Sequence, residues 1–107
     1  MTIEEFRVAA LKVPGAVESA HMDHPDFRVN GKIFASLGYP DAGWGMVKLR
    51  PTQQRTFMKE APEMFSPCTG AWGKAGSTSV HLASAKKRIL TKALRAALQN
   101  IINSTKS

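Results

Sequence analysis

The stretch Phe27-Arg28-Val29-Asn30-Gly31-Lys32-Ile33-Phe34-Ala35-Ser36-Leu37 sets the turn former Asn30-Gly31 between two β-prone runs, the pattern of a β-hairpin. Its register decides which side chains meet the core. A two-residue turn pairs Val29 with Lys32 and sets Arg28 opposite Ile33, mixing charge into the apolar face. A three-residue loop, with Gly31 in the left-handed conformation of a G1 bulge, pairs Phe27 with Ile33 instead. Phe27, Ile33, Ala35 and Leu37 then share one face, and Arg28 and Lys32 oppose each other on the other. Hydrophobic consistency favours the second register.

The flanking sequence supplies partners for that face. After a Gly- and Pro-containing loop (Gly38 to Gly43), Trp44 to Leu49 reads as a strand. Val47 and Leu49 point one way, and Met46, Lys48 and Arg50 the other. Pro51 suits the first turn of a helix running to about Ala61, with Phe57 and Met58 inward. Residues 62–76 read as irregular with a short strand inside. Thr78, Val80 and Leu82 alternate with Ser79, His81 and Ala83, a half-buried strand. Ser84 is placed to cap a last helix from about Ala85 to Ile102, whose apolar face runs from Ile89 through Leu94 to Ile101. Residues 103–107 are expected to fray. At the other end, Thr2 and Glu5 form a capping box. Ile3, Phe6, Ala10 and Val13 make one stripe of a helix ended by Pro14-Gly15.

A chain of 107 residues makes one domain, residues 1–107. The 15 Lys and Arg against 8 Asp and Glu give a net charge of +7. Glu4, Glu5, Glu18, Asp23 and Asp26 crowd the first quarter, and no acid follows Glu63. Such a surface attracts polyanions, acidic proteins or anionic lipid. Cys68 is the single cysteine, so no intrachain disulfide forms. There is no signal-peptide pattern at the N-terminus and no apolar run long enough to span a bilayer. The expected location is the cytoplasm, with no membrane partner and a monomeric state.

The residues Pro14-Gly15, Glu18, His24-Pro25, Phe27-Arg28-Val29 and Gly31-Lys32-Ile33-Phe34-Ala35 resemble the MmcQ/YjbR family. So do Trp44, Val47-Lys48-Leu49, Pro62-Glu63 and Trp72-Gly73-Lys74. The resemblance spans nearly the whole chain. It implies a two-layer α+β fold with an antiparallel sheet and helices on one face, in the order α-β-β-β-α-β-β-α. The strand between Phe65 and Gly73 rests on this resemblance. It also implies a double-wing mode of DNA binding and kinship with the folds of secretion chaperones.

The residues themselves point to anions. In the favoured register Arg28, Lys32, Lys48 and Arg50 project from the sheet side opposite the helices, with Phe34, Met46 and His81 between them. Like charges facing across strands destabilise each other, so the cluster invites an anion. The bland reading is a solvated sheet edge on which Lys deters edge-to-edge pairing. Lys74 joins the basic set, and Lys86, Lys87 and Arg88 at the start of the last helix add a second contact. The leading expectation is therefore a small DNA-binding protein that contacts phosphates with weak sequence readout. The rival is a module that binds an acidic protein or a small ligand.

Catalysis is not expected. Cys68 and His81 lack a legible third group or oxyanion loop, and Ser66, Ser77 and Ser79 lack a nucleophile elbow. Lys74 is not followed by the Ser or Thr of a phosphate loop. Trp44 and Trp72 are read as core or rim packing, with stacking on a base as the sharper alternative. His21 and His24 with Asp23 and Asp26 offer too few well-spaced ligands for zinc, so no metal or cofactor is expected. Metal analysis of protein purified without a His-tag should find far less than one zinc or iron per chain. A stoichiometric metal lost in His24→Ala would overturn that expectation.

Overall fold

The capping box forms. In the computed structural model, which describes residues 1–38 and 41–105, the Thr2 hydroxyl accepts from the Glu5 amide at 3.0 Å, and Glu5 Oε1 accepts from the Thr2 amide at 2.9 Å. Together they start α1 (Ile3–Leu11). The stripe that meets the core is Phe6, Ala9, Ala10 and Val13, whereas Ile3 is 41% exposed. The residue expected to begin the stripe therefore lies outside it.

Six strands follow: β1 (Val17–His21), β2 (His24–Val29), β3 (Lys32–Leu37), β4 (Trp44–Lys48), β5 (Phe65–Pro67) and β6 (Ser77–His81). They pair antiparallel throughout, in the order β1-β2-β3-β4-β6-β5. Three more helices complete the chain: α2 (Pro51–Glu60), α3 (Gly70–Lys74) and α4 (Lys87–Thr105). The fold class is the α+β antiparallel architecture read from the sequence. The element string differs, because β1 and α3 are added to it.

The hairpin register is the one the sequence analysis set aside. Val29 pairs with Lys32 and Arg28 with Ile33, across a two-residue turn. Asn30 and Gly31 both have positive φ, 53° and 77°, which is the requirement of a type I′ turn. Hydrophobic consistency is recovered one residue later. The register shifts between Arg28 and Phe27, so that Phe27 faces Ala35 and Phe34 is the extra residue of a β-bulge.

The pairing then lines up Phe27, Ala35, Val47 and Thr78 across four strands, and all four are fully buried. Helices α1, α2 and α4 lie on this face. Phe6 of α1 reaches Phe27 with ring centroids 6.2 Å apart, and Phe57 of α2 meets Phe65 at 5.6 Å. Leu90, Ala93, Leu94, Ala97 and Ile101 bury the inner side of α4. Val47 and Leu49 are buried as expected. The opposite face carries the row Asp26, Ser36, Met46, Ser79 and Ser66.

Two boundaries also move. Ser84 closes a 3-10 turn (Leu82–Ser84) and lies 3.1 Å from His81 Nδ1, so it does not cap α4. Helix α4 runs to Thr105, three residues into the stretch expected to fray. Lys106 and Ser107 lie outside the described residues.

Gly45 of β4 sits under α1. A Cβ there would be 2.8 Å from Phe6 Cε2 and 3.0 Å from Cζ, and Phe6 has no solvent side to move toward. Gly45→Ala should therefore destabilise the domain by about 1–3 kcal/mol, the usual cost of overpacking. Urea unfolding measures it. An unchanged midpoint would mean that α1 does not bear on β4.

Candidate functional site

Lys32 apart, the cations expected to contact a ligand separate into three places. Arg28 is on the helix-free face, where two of its nitrogens are committed to Asp26. Its Nε donates to Asp26 Oδ1 at 2.8 Å and its Nη2 to Oδ2 at 3.0 Å. Residues two apart on a strand point the same way, which brings the pair together. His21 Nδ1 lies 2.7 Å from Asp26 Oδ2 on the other side. The Asp26 side chain is fully buried between them. The Arg28 hydrogen bonds, helped by His21, hold its carboxyl below the ordinary carboxylate value against the opposing effect of burial. Asp26 in turn raises the Arg28 guanidinium.

Lys32 is on the helix side. It pairs with Val29, which shares a face with Phe27, and its Nζ donates to Ser104 Oγ of α4 at 3.2 Å. Phe34, expected among the basic residues, is fully buried in the bulge. Lys32 and Arg28 therefore do not oppose each other.

The second place is a corner where β4 ends. Lys48 holds its ammonium 5.8 Å from the centre of the Trp72 ring, and Trp72 is 67% exposed. This is a cation–π contact at a solvent-facing aromatic. Arg50 follows at the start of α2, its amide donating to Gln53 Oε1 at 2.8 Å. With Lys48 it lines a cavity of about 150 Å³ bounded by Asn100 and Ser104 of α4. Lys74 ends the short helix that carries Trp72.

Backbone packing joins these residues. At Gly76, with φ of 113°, a Cβ would lie 2.0 Å from Leu49 O and 2.8 Å from Arg50 C. Gln54 Nε2 donates to Gly73 O and Ser77 O at 3.1 and 3.0 Å, tying α2 to α3. Lys48, Arg50 and Lys74 make no ion pair among the described residues. Of the roles expected for Trp72, core packing is excluded by its exposure, and it stands at the rim beside Lys48.

The third place is the start of α4, with Lys86, Lys87 and Arg88 all exposed. They stand about 25 Å along the helix from Ser104, at 1.5 Å per residue. Elsewhere on the open sheet face, the rings of Trp44 and His81 lie 4.6 Å apart, and Cys68 Sγ is 3.4 Å from Ser79 Oγ. Cys68 and His81 thus have separate partners. Among the described residues no group of three or more His, Cys, Asp or Glu is placed to hold a metal ion, and no helix is long and apolar enough to cross a membrane.

Residues 11–100 match the family model described as YjbR. The crystal structure of Deinococcus radiodurans protein DR2400, which carries the family-model domain DUF419, is similar with a TM-score of 0.73. Identity to it is 17%, over 98% of this chain and 80% of that one, so the likeness is one of fold. No curated protein matches the sequence.

The Asp26 arrangement has a pH signature. Its folded pKa lies below the ordinary 3.8, so its contribution is fully present above about pH 4 and is lost as pH falls below that. Asp26→Ala, which leaves Arg28 and His21 without their shared acceptor, should cost about 1–3 kcal/mol at pH 7. The difference in urea midpoint between wild type and variant should shrink on acidification from pH 5 to pH 2. A difference that stays constant would show that the carboxylate is not what holds the pair.

Proposed function

The chain belongs to the YjbR family, and we propose that it binds duplex DNA through phosphate contacts made by Lys48, Arg50 and Lys74. The observation that carries this reading is the β4 corner, where Lys48 stands 5.8 Å from the exposed Trp72 ring and Lys48, Arg50 and Lys74 have no ion pair among the described residues. Cations that neutralise phosphates release condensed counterions, and an aromatic among them adds a stacking or wedging surface. The corner lies at a strand end and not on a helix face, so the reading is one of backbone contact with little base discrimination. Arg28 belongs to the scaffold, and Lys32 borders the corner from the α4 side through Ser104.

A second reading rests on β1. All five of its residues are exposed at the sheet edge, and Met22 beside it is 87% exposed. An open edge accepts a further strand, the mode by which a protein partner would dock.

Anisotropy titrations with two duplexes of unrelated sequence, across a range of salt, separate the readings. Lys48→Ala with Arg50→Ala should weaken both duplexes alike. The dependence of log affinity on log salt should become shallower by about 0.9 for each lost contact, close to two in all. Trp72 emission should change on binding. No duplex binding at low salt, or an equal slope with polyglutamate as the polymer, would leave the β1 edge as the better account.

A further inference from the structure

A cleft on the helix side lies between α1 and α4, away from the β4 corner. It has a volume of about 230 Å³ and is lined by Ala9, Lys12, Val13, Lys87, Thr91, Leu94 and Arg95. The lining follows from helical spacing. Lys87, Thr91, Leu94 and Arg95 fall on one stripe of α4, and Ala9, Lys12 and Val13 on one stripe at the end of α1.

The cleft is layered by chemistry. Its floor is apolar, with Ala9, Val13 and Leu94 at 6%, 6% and 1% exposure. Its rim carries three exposed cations and no acid. Lys12, Lys87 and Arg95 make no ion pair among the described residues. Glu5, whose charge Lys87 feels, has its carboxylate occupied by the Thr2 amide. The Thr91 hydroxyl donates to the Lys87 carbonyl at 2.9 Å, so the donors left for a ligand are two ammoniums and a guanidinium.

We propose that the α1–α4 cleft binds a phosphomonoester with a short apolar stem, the phosphate held by Lys12, Lys87 and Arg95 and the stem resting on Ala9, Val13 and Leu94. Three like charges line one rim with only the Glu5 carboxylate near Lys87 to offset them, which raises the local potential, and the low-dielectric floor strengthens it. A phosphomonoester carries close to two negative charges at pH 7. A bare anion would leave the apolar floor uncovered, and an uncharged apolar molecule would leave the cations unpaired.

Amide shifts in NMR titrations with butyl phosphate and with inorganic phosphate test the site. Butyl phosphate should give saturable shifts confined to residues 9–13 and 87–95, and should bind about three- to tenfold more tightly than inorganic phosphate. Lys12→Gln with Arg95→Gln, both at exposed positions, should weaken it at least tenfold. Lys48→Ala with Arg50→Ala should leave it unchanged, and duplex DNA should not displace it. Vesicles of phosphatidylcholine with phosphatidic acid identify the source. Sedimentation lost in the Lys12/Arg95 variant assigns a lipid headgroup, and no sedimentation assigns a soluble phosphomonoester. Non-saturating shifts spread over all lysines, equal affinity in wild type and variant, or displacement by duplex would overturn the site.

Discussion

The bulge at Phe34 determines which side of the protein every later residue faces. A type I′ turn at Asn30-Gly31 commits the hairpin to pairing Val29 with Lys32 and Arg28 with Ile33. Continued without interruption, that register would set Phe34 against Phe27 and Ala35 against Asp26. Ala35 and Leu37 would then point away from the helices, and Ser36 would enter the core. One extra residue in β3 reverses this. Ala35 and Leu37 turn inward beneath α1 and α4, and Ser36 joins Asp26 and Met46 on the open face. Because β4 and β6 inherit their alignment from β3, the burial of Val47 and Val80 depends on the same residue.

The bulge also sorts the charges. Upstream of it Lys32 falls on the helix side, so its ammonium reaches Ser104 of α4. Arg28 falls on the open side, beside Asp26. A carboxylate as buried as Asp26 is tolerated only with its lone pairs satisfied, and Arg28 with His21 supplies three contacts to it. The pair joins β2 to the end of β1, across a hairpin whose turn residues Met22 and Asp23 hold positive φ without glycine. Its role is to anchor an edge strand that buries none of its own residues.

Much of the fold was legible because burial imposes a period. Phe27, Val47, Val80 and the inner stripe of α4 repeat as core-facing residues should, and the Thr2–Glu5 box marked its helix. What was not legible lacks that period. All five residues of β1 are exposed, so Val17-Glu18-Ser19-Ala20-His21 shows no alternation. Helix α3 contains two glycines and gains nothing from propensity. It forms because Gly73 lets it press against Cys68, where a Cβ would lie 1.8 Å from the carbonyl oxygen. The site was legible in kind and not in place. Lys48 and Arg50 emerged together, but the choice between a bulged turn and a bulged strand moved Lys32 and Phe34 to the other layer. The Asp26–Arg28 pair was available from strand alternation alone, since i and i+2 share a face.

A net charge of +7 says little about where a ligand binds until the charges consumed by the scaffold are subtracted. Glu4 and Glu18 hold Arg7, Asp26 holds Arg28, Glu60 holds Lys92, and Glu5 closes a helix cap. These acids are spent on joining elements: α1 to β1, β2 to the end of β1, α2 to α4. Each cation so held is fixed in place and largely neutralised. Among the described residues with no acidic partner, Lys48, Arg50 and Lys74 fall at one site and Lys12, Lys87 and Arg95 at another. One lies at the end of β4 around an aromatic ring, the other between two helices over an apolar floor. In the proposed reading an extended polyanion meets the first, where Trp72 is open to solvent. The second is a cleft, and suits an anion small enough to enter it.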